Sequence, residues 1–139
     1  MSCMEDWSTM PKVQLRSFGY LHGDPAIPAH ITIDARKLLY DPHTDVMLRE
    51  LTGMDEIIRD KVIACSGAAG LITNMTRLIQ SFVLQHDAHG ILVRVDIGCS
   101  GGRHRSVVLV QEISEQLIAA GIETQIMHRD VRRPVVYRQ

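Results

Sequence analysis

Aromatic residues are scarce in this chain: one Trp, three Tyr and two Phe make up 4% of 139 residues. A packed interior must therefore be built from Ile, Leu, Val, Met and Ala. Cysteine is scarce too. The three present are odd in number and lack framework spacing, which excludes a disulfide-stapled scaffold and points to free thiols. Neither sign of charge dominates. Fifteen Lys and Arg against sixteen Asp and Glu leave a formal net charge of -1. That balance excludes a protein coated in positive charge for nucleic acid but leaves room for a local basic patch. No apolar run reaches the length of a membrane span. The N-terminus has no charged start leading into an apolar stretch, so neither a membrane partner nor a signal peptide is expected, and the cytoplasm is the expected location. The seven histidines are dispersed without ligand spacing, so no metal site and no other cofactor is expected. What is present is an ordinary globular composition, 45% hydrophobic and 22% charged, in a length that suits one domain.

Turn signals and hydrophobic periodicity divide the chain into a flexible N-terminal tail (1–12), a domain (13–130) and a basic C-terminal tail (131–139). Val13 to Phe18 reads as a first strand, followed by a Gly- and Pro-punctuated loop. His30 to Ala35 reads as a second strand, with Ile31 and Ile33 on one face and Asp34 and Arg36 at its carboxyl end. Residues 38–51, with Pro42 and several charges, read as an irregular loop. Thr52-Gly53-Met54-Asp55 has the form of a capping box with Thr52 as N-cap, opening a short helix to Ala64. A longer helix is expected from Ser66 to His86, where Leu71, Ile72, Met75, Leu78, Ile79, Phe82 and Val83 form an apolar stripe. Ile91 to Ile97 reads as a third strand, His104 to Ala120 as a helix closed by Gly121, and Thr124 to His128 as a fourth strand. The strand–helix–strand order predicts parallel pairing with a right-handed crossover. The fold class is α/β: a small, largely parallel four-stranded sheet flanked by helices.

The chemistry concentrates in Gly98-Cys99-Ser100-Gly101-Gly102-Arg103-His104-Arg105-Ser106. A buried strand that passes through a glycine-rich turn into a helix gathers backbone N–H groups around one point. The helix N-terminus adds partial positive charge, and an anion fits there. Glycines let the backbone approach a ligand, and Arg103, His104 and Arg105 add donors, with arginine able to grip a phosphate through two parallel bonds. The competing reading is a tight turn with solvent-facing arginines. His43 reads either as a pocket residue or as an exposed loop histidine. Asp34 reads as a site carboxylate or a turn cap, Arg59 and Lys61 as a solvated helix face, and Cys65 as a small buried hydrophobe.

The same loop, taken with Ser17-Phe18-Gly19-Tyr20 and Gly23, with Asp34-Ala35-Arg36 followed by Asp41-Pro42-His43, and with Leu48-Arg49 and Thr52-Gly53-Met54-Asp55, resembles the C-terminal domain of the RNase adapter protein RapZ. The match covers about residues 13 to 130, as a stand-alone domain. The resemblance implies a fold similar to a sugar-kinase (phosphofructokinase-like) subdomain and a self-associating chain. It further implies a non-catalytic sensor or adapter that binds an aminosugar phosphate, glucosamine-6-phosphate in enterobacterial members, and also RNA and a regulatory protein partner. Carried over by position, the ligand residues are His43, Asp34, Arg36, Arg49, Cys99, Ser100, Gly101, Gly102, His104 and Arg105. Full-length members carry a Walker loop, Gly-x-x-x-x-Gly-Lys-Ser/Thr, and no such stretch occurs in this sequence. Asp96 stands where the family pattern leads us to expect a small residue, Glu50 where it leads us to expect Pro, and Ser100 replaces Thr.

Two other functions compete. Cys99 and Arg105-Ser106 reproduce Cys-x-x-Gly-x-x-Arg-Ser, the loop of cysteine-dependent phosphatases. In that reading a Cys99 thiolate attacks phosphorus, Arg105 holds the equatorial oxygens and Asp34 or Asp41 protonates the leaving group. The basic end of the chain, Arg129, Arg132 and Arg133, is a candidate surface for an RNA backbone, and Tyr137 is its one stacking side chain.

Overall fold

A computed structural model describes residues 10–137. The first nine residues of the expected N-terminal tail and the last two of the basic tail, including Arg138, lie outside the described residues. Four strands, β1 (Val13–Gly19), β2 (Ile31–Asp34), β3 (Val93–Cys99) and β4 (Thr124–His128), and three helices, α1 (Glu56–Ile63), α2 (Ala68–Asp87) and α3 (Arg105–Ala119), follow in the order β1-β2-α1-α2-β3-α3-β4. The sheet order is β2-β3-β1-β4 and every pairing is parallel. The third and fourth strands are therefore parallel, but β1 lies between them.

The two-residue period of the strands sorts side chains onto two unlike faces. Val13 and Leu15 of β1, Val93, Val95 and Ile97 of β3 and Ile31 of β2 form one core with Ile72, Met75, Ile79 and Val83 of α2 and with Leu109, Val110, Ile113 and Leu117 of α3. Each such side chain, once buried, contributes roughly 1.5–3 kcal/mol of transfer free energy. The other face carries Gln14, Arg16, Thr32, Arg94, Asp96, Gln125 and Met127, and among the described residues it contributes none of these side chains to the core formed with α2 and α3. The chain crosses it between β1 and β2, where Arg16 Nη2 donates to the Ile27 carbonyl at 3.0 Å. Handedness accounts for the division. The steps β2 to β3 and β3 to β4 run the same way across the sheet, so their helices share a face. The step β1 to β2 runs backwards, and a right-handed connection then lies on the opposite side. No single helix among the described residues is long and apolar enough to cross a membrane.

Several expected boundaries move. Thr52 is not a helix cap. Its N–H donates to Asp55 Oδ2 (2.8 Å) and its hydroxyl accepts from the Met54 N–H (3.1 Å), closing a turn ahead of α1, whose N-cap is Asp55. The reciprocal bonding of a capping box is present, one turn too early. The long helix starts at Ala68, after Gly67 in the left-handed region at φ 82. β3 starts at Val93, leaving Ile91 44% exposed. Residues 38–51 contain a 3-10 turn at Pro42–Thr44, capped by the Asp41 carboxylate, which accepts from the His43 N–H at 3.0 Å. The buried side of α3 is wider than its stripe. Every residue from Arg105 to Val110 is buried, because Val108 faces a second cluster with Leu48, Ile58 and Val62.

Asp96 illustrates how the bare sheet face is managed. It is 2% exposed and lies directly across the ladder from Arg16, whose Nε and Nη2 reach its two carboxylate oxygens at 2.6 and 2.8 Å. The charge that departs from the expected pattern is matched by a bidentate partner on the neighbouring strand.

Candidate functional site

β1 and β3 are neighbours whose onward connections leave on opposite faces. This is a topological switch point, and in open parallel sheets ligands bind outside the carboxyl ends of the strands at such a point. The loop from Ser100 to His104 occupies it, and its shape depends on close backbone contacts. A Cβ on Gly19 would lie 2.3 Å from the Gly101 carbonyl carbon, and one on Gly102, itself at φ 70, would lie 2.4 Å from the Gly19 nitrogen. Leu21 donates its N–H to the Ser100 carbonyl at 3.0 Å. On the other side Gly53 donates its N–H to the Arg103 carbonyl at 2.8 Å, and a Cβ there would meet the His104 carbonyl oxygen at 2.6 Å. Beneath, Gly98 leaves room for the Phe18 ring. The separate sequence stretches around Gly19, Gly53 and Gly98 thus converge on one loop.

The loop borders a cavity of about 20 Å³ lined by Leu21, Asp41, His43, Cys99, Ser100, Gly101, Arg103, His104, Arg105 and Pro134 to Val136. Arg105, in the first turn of α3, is 4% exposed. Its Nη1 donates to the carbonyls of Ala35, Arg36 and Leu38 at 3.3, 2.7 and 3.3 Å, and its Nη2 lies 3.3 Å from Asp41 Oδ2. Its Nε is buried without a partner. The clasped segment holds Leu39 at φ 61, the one non-glycine residue in the left-handed region among those described. His104 is the N-cap residue of α3 but makes no side-chain cap. Its Nε2 bonds the Arg49 carbonyl at 3.0 Å, and burial pushes its pKa below the ordinary histidine range against the opposing pull of the Leu51 and Arg49 carbonyls. Cys99 is 3% exposed, and its Sγ lies 3.1 Å from the Ser106 hydroxyl.

Six of the expected ligand residues therefore meet at one cavity: His43, Cys99, Ser100, Gly101, His104 and Arg105. Four do not line it. Gly102 supports the loop from below. Arg49 donates from Nε to the His43 carbonyl at 2.8 Å. Asp34 and Arg36 pair with each other, Nη2 to Oδ2 at 2.6 Å, and the Arg36 guanidinium lies 3.9 Å from the Tyr20 ring centre. The Arg36 guanidinium and backbone N–H hold the Asp34 carboxyl down at about 2.

Three features escaped the sequence reading. Arg103 is a strut: its Nε donates to the Leu51 carbonyl (3.1 Å), Nη2 to that of Glu50, and Nη1 to those of Val131 and Arg133 (3.4 and 3.1 Å). Asp130 is fully buried and accepts from the Gly19 N–H at 2.8 Å, while Arg129 and Arg133 pair with it at 2.7 and 3.0 Å. Two of the three arginines of the candidate RNA surface are thus engaged with one carboxylate, and Arg132 is exposed. Finally, Pro134 to Val136 wall the cavity. The apolar run Pro-Val-Val inside a basic tail was the available signal.

Together these observations define an all-parallel α/β domain with a glycine-clamped strand–loop–helix at its switch point. The chain belongs to the RapZ C-terminal domain family, whose model matches residues 11–132. It is 36% identical over 126 residues to a protein named nucleotide-binding protein from Thermobifida fusca, covering 90% of this chain and 42% of that one. It is 37% identical over 123 residues to a nucleotide-binding protein from Streptomyces griseus, covering 88% and 37%, and 36% identical over 120 residues to one from Desulforudis audaxviator, covering 86% and 40%. The chain spans about two fifths of the length of these curated relatives.

Proposed function

We propose that this domain is a non-catalytic sensor that binds a small phosphorylated metabolite, of the aminosugar phosphate class, and works as a regulatory adapter. The observation that carries this reading is Arg105: a buried guanidinium beside a glycine-lined loop and a helix N-terminus, with Nε still lacking an acceptor. A buried donor of this kind is costly unless something accepts from it. The phosphate sits against Ser100, Gly101 and the first turn of α3, and His43 and Asp41 face the sugar hydroxyls or amine.

The phosphatase reading is weaker on chemical grounds. Asp34, held ionised down to about pH 2, does not supply a proton near neutrality, and Asp41, the other expected acid, is paired with Arg105 Nη2 at 3.3 Å. The nucleotide binding in the relatives' names is a property of chains more than twice as long, and we do not carry it to this domain.

The test is a thermal-shift and calorimetric comparison of glucosamine-6-phosphate, glucose-6-phosphate, glucosamine, inorganic phosphate and nucleotides, since a ligand that binds only the folded state raises its melting temperature. Saturable binding of a sugar phosphate is expected, weakened about tenfold or more in His43→Ala, as loss of a hydrogen bond to a charged group implies. Steady hydrolysis of an aryl phosphate that disappears in Cys99→Ser would replace this reading with the enzymatic one.

A further inference from the structure

One wall of the cavity is made by residues that the family match does not reach. The match ends at residue 132, yet Pro134, Val135 and Val136 line the cavity together with Ser100 and Gly101. As far as Arg133 the C-terminal segment is anchored firmly, through buried Asp130 on the Gly19 N–H and through Arg103 on the Val131 and Arg133 carbonyls. Beyond Arg133 the hold changes in kind. Pro134 has no N–H to give, and among the described residues 134–137 make no backbone–backbone hydrogen bond. Their polar fastening among the described residues is at the far end, where the exposed Tyr137 hydroxyl donates to Glu50 Oε1 at 2.6 Å and the ring lies 5.4 Å from the Arg49 guanidinium and 6.2 Å from the His43 ring.

The size of the cavity gives this arrangement a consequence. About 20 Å³ holds about one water-sized group, whereas small-molecule pockets run to roughly 300 Å³ or more. A wall must move before a sugar phosphate enters. The glycine-clamped loop is not that wall, because Gly19 and Gly102 leave it no room to shift inward. We propose that residues 134–137 are an occluding strap, latched by Tyr137 on Glu50, that swings off the site to admit ligand. The ligand's identity rests on the function proposed above. The occlusion does not, and it can be measured without ligand.

Cys99 lines the cavity and is the reporter. With Cys3 and Cys65 replaced by Ser, it is the last of the three cysteines, and its labelling by a small thiol reagent reads access to the site. Deleting residues 134–139 is expected to raise the labelling rate about tenfold or more, and Tyr137→Phe to raise it about threefold, the factors expected for removing a latch worth one to two hydrogen bonds. Melting temperatures measured alongside separate local opening from global unfolding, and Tyr137→Phe carries the test if the deletion destabilises the fold. Labelling unchanged in both variants overturns the strap. Faster labelling in the variants, with no protection of Cys99 by glucosamine-6-phosphate or inorganic phosphate, leaves the strap standing and removes the proposed ligand.

Discussion

At the scale of single residues, the informative side chains are buried charges and how each is satisfied. Arg105 is gripped by carbonyls of the segment after β2, so it shapes that segment as well as facing the cavity. Lysine keeps the charge but cannot reach several carbonyls in one plane. Arg105→Lys should therefore lose about 1–3 kcal/mol in urea unfolding through the acceptors it leaves unpaired. Undiminished stability would show that the guanidinium's bonds to Ala35, Arg36 and Leu38 contribute little. Arg16 and Asp96 make a sharper case. Removing either partner strands a buried charge and should cost about 3–5 kcal/mol, whereas replacing both with leucine should cost far less than the sum. Additive losses in that double-mutant cycle would mean the two charges are not coupled. The sequence showed Asp96 as an anomaly but could not show its answer, because Arg16 is 80 positions away and only the strand register brings them together. Arg103 misled for a similar reason. Its place in a basic, glycine-rich loop suggested a phosphate donor, and its actual acceptors are backbone carbonyls, which no sequence pattern marks.

At the scale of elements, the strand–loop–helix of β3 and α3 was legible because each part carries its own signal: β-branched alternation, clustered glycines, then an apolar helical stripe ending at Gly121. The start of α1 was less so. The Thr52–Asp55 pattern bonds as a capping box would, yet the chain folds it as a free turn, because Gly53 is required there to pass the Arg103–His104 backbone. The glycines of the site accordingly divide into two kinds, and this yields a contrast. Gly19→Ala must push its Cβ into the Gly101 carbonyl at 2.3 Å, and overpacking of this sort typically costs about 1–3 kcal/mol. Gly101→Ala meets nothing within 4 Å and should leave the melting temperature nearly unchanged. If a phosphate sits against the loop, Gly101→Ala nonetheless lowers sugar-phosphate affinity, because the new methyl lies on the ligand side. A Gly101→Ala variant with unaltered affinity would move the phosphate away from this backbone.

At the scale of the whole molecule, the sequence pointed to an α/β class and a mostly parallel sheet but not to the strand order, since β1 inserts between β3 and β4 through long-range pairing that local pattern does not encode. That insertion places the ends of β1, β3 and β4 side by side and takes two histidines partly or wholly out of solvent, one buried just ahead of α3 and one half-buried at the end of β4. His104 is one. His128 is the other, with Nε2 3.2 Å from Gln111 Oε1 and Nδ1 2.6 Å from the Ser17 hydroxyl. In the neutral ring the amide oxygen accepts from Nε2–H and Nδ1 accepts from the Ser17 hydroxyl. Burial lowers the pKa of both histidines below the ordinary value of 6.5. The direction of the pH effect follows. As pH falls through about 6.5 the unfolded chain takes up protons at these positions and the native chain does not, so stability falls with falling pH across that window and is fully present above it. Asp130 extends the trend further into acid: although burial alone would raise its pKa, hydrogen bonds from Arg129 and the Gly19 N–H lower it below 3.8. The native chain therefore keeps this carboxylate ionised where the unfolded chain protonates it, and its contribution is lost as pH falls below that value. Melting temperature measured from pH 8 to pH 5 should be level at the alkaline end and decline below about 6.5. His128→Gln, which keeps a neutral polar side chain, should make the decline shallower while leaving the alkaline plateau lower. A melting curve that is flat to pH 5 would mean that both rings accept a proton in the native fold, and would separate the architecture of this corner from any role in sensing acidity.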